Sequence, residues 1–296
     1  MTKIKKMIIW VIFFSFITTV EAYWGWGNIL APWKSLSTAS IISAVLLFLL
    51  SYQVRTWRLY DYFLPHTKGG WIAALRLMLL HNILNNLLPA RGGEISFPLL
   101  MKRYFGLDYI HTIPALLWFR LLDLHTLLSI GIIVWALTGL AKHALLYLPL
   151  LSLWLFLPLI FYYLKNLIQQ KINHRFMQKV LDGLPQSTVK FWRNWLLTWL
   201  NWTVKLGVLA WLLGQFLKVD LTYLTSSVMA GELSSVLPFH APGGVGTYEA
   251  GMVAPLLAVI GAETATKAAI NVHLFMLSSS MIGALIGWLL PAKRNT

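Results

Sequence analysis

The feature that most constrains this chain is a series of long apolar runs that hold almost no charge. Segment 37–57 has none before Arg55, and "HALLYLPLLSLWLFLPLIFYYL" (143–164) has none after His143. About 20 consecutive apolar residues cross a bilayer as a helix. A membrane barrel needs alternating apolar and polar residues, whereas these runs are continuous. Only 11% of the 296 residues are charged, against roughly 25% in soluble domains. The chain reads as an all-α polytopic membrane protein, one integral domain over 1–296.

The net charge of +14 raises the question of nucleic acid. Its placement argues against that partner. Lysines and arginines gather at "MTKIKK", at "RTWR" (55–58), across 165–193 and at "AKRNT". These are ends of apolar runs, the pattern of the positive-inside rule, and attraction to anionic headgroups acts in the same direction. The chain has no cysteine, which excludes disulfides and thiolate metal sites. It has no H-x-x-x-H or H-E-x-x-H spacing for zinc, and no metal or other cofactor is expected. The start, "KIKK" followed by "MIIWVIFFSFITTVEA", fits a cleavable signal peptide or an uncleaved first crossing. The many crossings that follow favour the second.

Apolar segments fall at about 7–24, 37–57, 71–88, 95–106, 110–141, 143–164, 191–217, 221–238, 247–262 and 265–290. The polar stretch 166–190 is basic and amphipathic, and reads as a cytoplasmic surface loop. Placing the basic ends in the cytoplasm fixes a count. Six segments cross fully, and both termini are cytoplasmic. Segments 71–88 and 95–106 then make no net crossing, and neither do 221–238 and 247–262. Each pair reads as a re-entrant helical hairpin, with "LLPARGGE" at one tip and "LPFHAPGGVGTYE" at the other. Each hairpin lies between two crossings, in units of about 37–141 and 191–290 that run in opposite directions. That is the signature of an inverted repeat with broken helices.

Irregular backbone survives at membrane depth only where protein or a water-filled cavity satisfies it. Pro89 stops the first arm, and Gly92 and Gly93 supply permissive backbone. Helix is expected to restart near Glu94, and in the second tip near Thr247. Restarting helices present free N–H groups suited to phosphate or carboxylate. Two roles fit Arg91: bidentate contact with a phosphate, or an anchor paired with Glu94. Glu94 and Glu249 sit in first turns, where favourable interaction with the helix dipole accounts for both; carrying a proton or pairing with a lipid amine are the alternatives. Arg120 and Asp123 stand i, i+3 in "WFRLLDLH" and can pair; His125 faces elsewhere. Lys205, in "NWTVKLG", is an intramembrane charge, which costs at least ~2.5 kcal/mol and is functional by default. Glu232 would neutralise it. His81, Asn82, Asn85 and Asn86 recur at helical spacing, as interhelical hydrogen-bonding groups do. His240 is a tip residue of the type that titrates near neutrality.

"NNLLPARGGEISFPLLMKRYFGLD", "WFRLLDL" and "LPFHAPGGVGTYEAG", in this order, resemble the transmembrane region of the lysylphosphatidylglycerol synthase family. The resemblance covers roughly residues 40–290. In bifunctional members this region is the flippase module, which moves an aminoacylated phospholipid between leaflets; other relatives are linked with polyprenyl-linked sugar pathways. By resemblance, Arg91, Gly92, Glu94, Arg120, Asp123, Gly243, Gly244, Gly246 and Glu249 match motif positions. Phe119 stands where the family often has an acidic residue before the arginine. The aminoacyl-transfer domain of the full synthase is missing, so no synthesis of lysylphosphatidylglycerol is expected.

The leading expectation is a non-enzymatic lipid translocator of the bacterial inner membrane. It would take an anionic or aminoacylated phospholipid or a polyprenyl phosphate between the two tips, with Gly93, Lys205 and Glu232 added to the motif residues as its site. The rival is an embedded enzyme or accessory subunit of lipid-linked glycosyl transfer, with a glycosyltransferase or a second copy as partner. Such an enzyme usually needs an acidic metal-binding pair in an aqueous loop, and the loops offer only isolated Asp61, Asp108, Asp182 and Asp220.

Overall fold

A computed structural model describes residues 3–137, 144–171, 174–235 and 242–291. These residues form helices and no strand. The chain begins with α1 (Lys3–Tyr23) and a short α2 (Trp26–Leu30). A long α3 (Thr38–Tyr62) follows, then the paired α4 (Trp71–Leu87) and α5 (Ser96–Phe105), then a long α6 (Tyr109–Leu137). Next come α7 (Ala144–Leu155), α8 (Leu157–Lys171) and α9 (Arg175–Asp182). The second part repeats the order of the first: a long α10 (Thr188–Phe216), the paired α11 (Leu221–Ser234) and α12 (Thr247–Leu256), and a long α13 (Ala262–Leu289). Among the described residues, α3, α6 over Tyr109–Val134, α10 and α13 are long and apolar enough to cross a membrane.

Local chemistry sets the boundaries. Ser37 and Ser187 cap α3 and α10, accepting hydrogen bonds from the Ser40 and Lys190 amides at 3.1 and 3.3 Å. Gly106, at φ 68°, ends α5 in the left-handed conformation that favours glycine. Pro158, lacking an N–H, sits where segment 143–164 breaks into α7 and α8. The helix after Pro89 restarts later than the spacing suggests, because a 3-10 turn over Pro89–Ile95 carries the chain past Glu94 to Ser96.

The long helices pack as α3 on α10, and each paired unit reaches across to the other half: α4 lies on α13, and α11 on α6. The two tips, Pro89–Ile95 and Pro242–Gly244, approach each other at the centre. Glycines let backbones close up within each pair. A methyl group on Gly93 would overlap the backbone of Leu84 and Asn85 in α4, and one on Gly251 would lie 2.7 Å from the Ala230 carbonyl oxygen in α11. The α4–α13 seam is equally tight: a methyl on Gly287 would come within 2.9 Å of Leu79 Cβ, and one on Gly283 within 3.3 Å of Leu79 Cδ2.

One end of the molecule joins the end of α3 to the start of α10 and to α9. Tyr62 Oη donates to the Gly183 carbonyl at 2.8 Å, Lys190 Nζ to the Leu64 carbonyl at 2.8 Å, and Arg193 pairs with Asp61 at 2.8 Å. Arg76 of α4 donates to the Trp288 and Leu290 carbonyls, which ties the end of α13 to the same side. At the opposite end Trp33 Nε1 donates to Asn271 Oδ1 at 2.6 Å, and its ring meets Phe216 edge-on at 5.3 Å.

Two expectations are corrected. Much of 166–190 is helix rather than loop: α8 extends to Lys171, and the amphipathic α9 packs on α6, with Val180, Leu181 and Leu184 buried. Arg55 and Arg58 are not interfacial anchors. The helix runs on to Tyr62, so both lie inside it, and Arg58 is 3% exposed.

The tight glycine contacts generate a prediction. Gly93→Ala and Gly251→Ala should each cost about 1–3 kcal/mol by overpacking. Gly92→Ala, whose added methyl would meet nothing nearer than Leu88 Cβ at 3.7 Å, should be near neutral. Denaturant titration in detergent measures all three; equal stability of the Gly92 and Gly93 variants would contradict this packing.

Candidate functional site

The middle of the molecule gathers charge. Asp123 of α6 is 4% exposed and accepts from Arg58 of α3 at 2.7 and 3.3 Å, from Arg120 at 3.3 Å and from Trp202 Nε1 of α10 at 3.1 Å. Arg58 also donates to Thr198 Oγ1 at 2.8 Å, and its guanidinium lies 4.7 Å from the centre of the Phe119 ring. Arg120 reaches the other way, to Glu94 in the first tip, at 2.8 Å. So Arg120 and Asp123 do pair, but each has a second partner that sequence spacing could not show.

The first tip is held by a short relay. Ser96 Oγ donates to the Gly93 carbonyl at 2.6 Å, which uses its proton. His81 Nδ1, 2.8 Å away, must then donate to Ser96 Oγ, leaving Nε2 to accept from Arg120 Nη2 at 3.3 Å. Arg91 belongs to this tip, but its side chain lies outside the described residues.

Arg55 stands apart. Its Nη1 donates to Asn82 Oδ1 at 2.9 Å, and the guanidinium lies 5.9 Å from the Trp202 ring. Its Nε is buried without a partner, and no carboxylate pairs with it among the described residues. Arg55, Arg58, His81 and Arg120 face a cavity of about 10 Å³, room for about one water. Three guanidinium groups thus meet two carboxylates, Asp123 and Glu94, and one positive charge is left over.

A second polar group lies in the other half. Lys205 of α10 pairs with Glu232 of α11 at 2.7 Å, both at least nine-tenths buried. Lys205 Nζ sits 5.2 Å from the Trp202 ring, and Tyr248 Oη donates to Glu232 Oε1 at 3.3 Å. In the second tip Gly243, Gly244 and Gly246 have φ of 73°, 75° and 84°, a region open to glycine and strained for other residues. Glu249 caps the restarting helix by accepting from the Gly246 amide at 2.7 Å, and its other oxygen lies 2.7 Å from His273 Nδ1 of α13. Asn86 and Tyr52 both donate to Ser280, at 2.9 and 2.7 Å, joining α3 and α4 to α13.

His125 faces away, with Nε2 2.9 Å from the Trp154 carbonyl oxygen. His240 lies outside the described residues. Among the described residues no three His, Asp or Glu side chains are grouped as a metal cage. Sequence reading missed Arg55, Arg58 and His273. The available signal for the arginines was a polar stripe, Ser51, Tyr52, Arg55 and Arg58, at helical spacing on one face of α3.

These features define a polytopic helical membrane protein that concentrates its charge between two broken helix pairs. The chain belongs to the family described as the lysylphosphatidylglycerol synthase TM region, which matches residues 6–284. That membership implies a function connected with membrane lipid. No curated protein and no solved structure matches the chain.

The Lys205–Glu232 pair should be costly to break and cheap to replace. Lys205→Met alone leaves a buried carboxylate unpaired and should lose about 3–5 kcal/mol, whereas Lys205→Met with Glu232→Met should recover most of it. Melting curves of the two variants and the wild type test this; a double variant no better than the single would contradict a paired, dry site.

Proposed function

We propose that the protein is a lipid translocator that accepts an anionic, phosphate-bearing headgroup between its two hairpin tips and moves it between leaflets. The observation that carries this reading is the surplus guanidinium. A buried cation is expensive without a counter-charge. Arg55 points into the cavity bounded by Arg58, His81 and Arg120 and has no carboxylate of its own among the described residues. A phosphate oxygen from an anionic phospholipid or a polyprenyl phosphate would supply the missing charge, and planar guanidinium groups suit it. The cavity holds about one water in this state, so entry of a headgroup requires the tips to part.

The architecture supports the same reading. In this proposal α1, α3, α6, the α7–α8 pair, α10 and α13 are six full crossings. The pairs α4–α5 and α11–α12 are re-entrant hairpins of an inverted repeat. The repeated element order and the reciprocal packing of α4 on α13 and α11 on α6 favour it. Lys68, Lys102, Arg103, Lys179, Lys190 and Arg193 gather at the end that carries α9 and the start of α10. By the positive-inside rule that end is cytoplasmic, in a bacterial inner membrane with both termini on the cytoplasmic side.

Orientation is tested by single cysteines introduced at Lys34 and Gln186, both exposed, in a chain that otherwise has none. A membrane-impermeant thiol reagent should label them from opposite sides. Labelling of both from one side would defeat the topology.

Transport is tested with Arg55→Gln. Because Arg55 has no ion-pair partner to strand among the described residues, the variant should melt at or above the wild-type temperature. It should need about 10- to 100-fold more anionic lipid for equal movement, the equivalent of a lost charge-assisted contact of ~1.5–3 kcal/mol. The assay is leaflet-specific quenching of labelled phosphatidylglycerol in reconstituted vesicles. Unchanged movement by a well-folded variant would remove the charged-cavity mechanism.

A further inference from the structure

The Glu249–His273 pair is not needed to bind a headgroup at Arg55, and it is built for something else. His273 is 2% exposed, in the middle of α13. Its Nδ1 is engaged with Glu249 Oε1 at 2.7 Å, and Tyr248 stacks on the ring at a centroid distance of 4.4 Å. Its Nε2 is buried with no hydrogen-bond partner among the described residues. That nitrogen faces the second tip: a methyl group on Gly244 would lie 3.9 Å from both Nε2 and Cε1. Among the described residues the charged and titratable groups linked to the ring through Tyr248 are Glu232 on α11, to which Tyr248 donates, its partner Lys205 on α10, and Tyr52 on α3. Lys205 and Glu232 neutralise each other, and Tyr52 is hydrogen-bonded to Ser280. From α4 the uncharged Asn86 also reaches Ser280, two turns further along α13.

We propose that His273 is a proton-binding site, and that the proton is a second substrate of the translocator, carried together with the anionic headgroup. The inference rests on the translocator reading above. In the neutral ring the Nδ1 hydrogen goes to Glu249, and the Nε2 lone pair accepts no hydrogen bond among the described residues. A proton from water adds to that lone pair and makes a new N–H. In the closed arrangement this donor has no acceptor among the described residues, and a buried donor without one is unfavourable. The protonated ring therefore favours a displaced tip, in which water or a phosphate oxygen reaches Nε2. The tip is suited to this motion, since its helix is capped by the same Glu249 that holds the imidazole. An added positive charge also balances the phosphate that crosses with it.

The test uses the full chain in vesicles of phosphatidylethanolamine and phosphatidylglycerol with labelled phosphatidylglycerol. It is run at equal pH on both sides and with an imposed difference of about two pH units. Wild type should equilibrate the label at equal pH and accumulate it severalfold in the leaflet on the alkaline side under the gradient. His273→Gln should still move label but reach the same distribution with and without the gradient. If that variant does not fold, Glu249→Gln, which removes the group holding the imidazole, should show the same loss. Movement in wild type that ignores the gradient, or a gradient response kept by either folded variant, would overturn the coupling and leave the translocator reading standing. A lipid-independent arm measures amide hydrogen exchange over 242–250, corrected for intrinsic rates. Protection should fall severalfold on acidification in wild type and stay flat in His273→Gln. An identical profile in both would overturn the proton site even if no label moves in any vesicle, and absence of all movement would instead bring down the translocator reading.

Discussion

The carboxylate of Asp123 is the constraint around which the rest is arranged. A buried ion costs several kcal/mol unless its partners are close and well aligned. Asp123 meets that demand with three donors from three helices: Arg58 on α3, Arg120 on its own α6 and Trp202 on α10. Those contacts fix the packing of the long helices at the level of the charged cavity. Arg120 is then shared with Glu94, so the position of the first tip depends on Asp123 at one remove. The His81–Ser96–Gly93 relay hangs from the same arginine.

The second half solves the same problem with different chemistry. Its buried polar groups form two separate pairs, the Lys205–Glu232 ion pair and the Glu249–His273 hydrogen bond. Both tips hold a proline-led 3-10 turn, and the second adds glycines in the left-handed region and a carboxylate cap. Both devices satisfy backbone groups that lipid could not. The asymmetry leaves the cation surplus on one side of the centre and the exchangeable imidazole on the other.

Much of the framework was legible from residues alone. Long apolar runs with few charges marked the long helices, and the proline–glycine breaks at 89–93 and 242–246 marked the two tips. Lys205 was visible because a lysine in an apolar helix has few innocent explanations, and Glu232 was among the few acids that could answer it. Arg55 and Arg58 were hidden because the positive-inside rule accounts equally well for arginines near a helix end. Only the continuation of α3 to Tyr62 places them in the interior. The Glu94–Arg120 contact spans 26 positions and competes in sequence with a nearer partner, Arg91. His273 sits in α13 between Val272 and Leu274, where nothing local distinguishes a working histidine from a packed one.

The glycine seams have a mechanical consequence. At Gly93 the first tip lies against the backbone of α4, and at Gly251 α12 lies against the backbone of α11, which leaves each pair little room to deform internally. The first pair is also clamped along α13 by Leu79 against Gly283 and Gly287, and by Arg76 on the Trp288 and Leu290 carbonyls. Yet α13 also packs on α12 and carries His273 beneath the second tip. The two halves are thus joined through one helix: α13 holds the first pair along one seam and supports the other tip through His273.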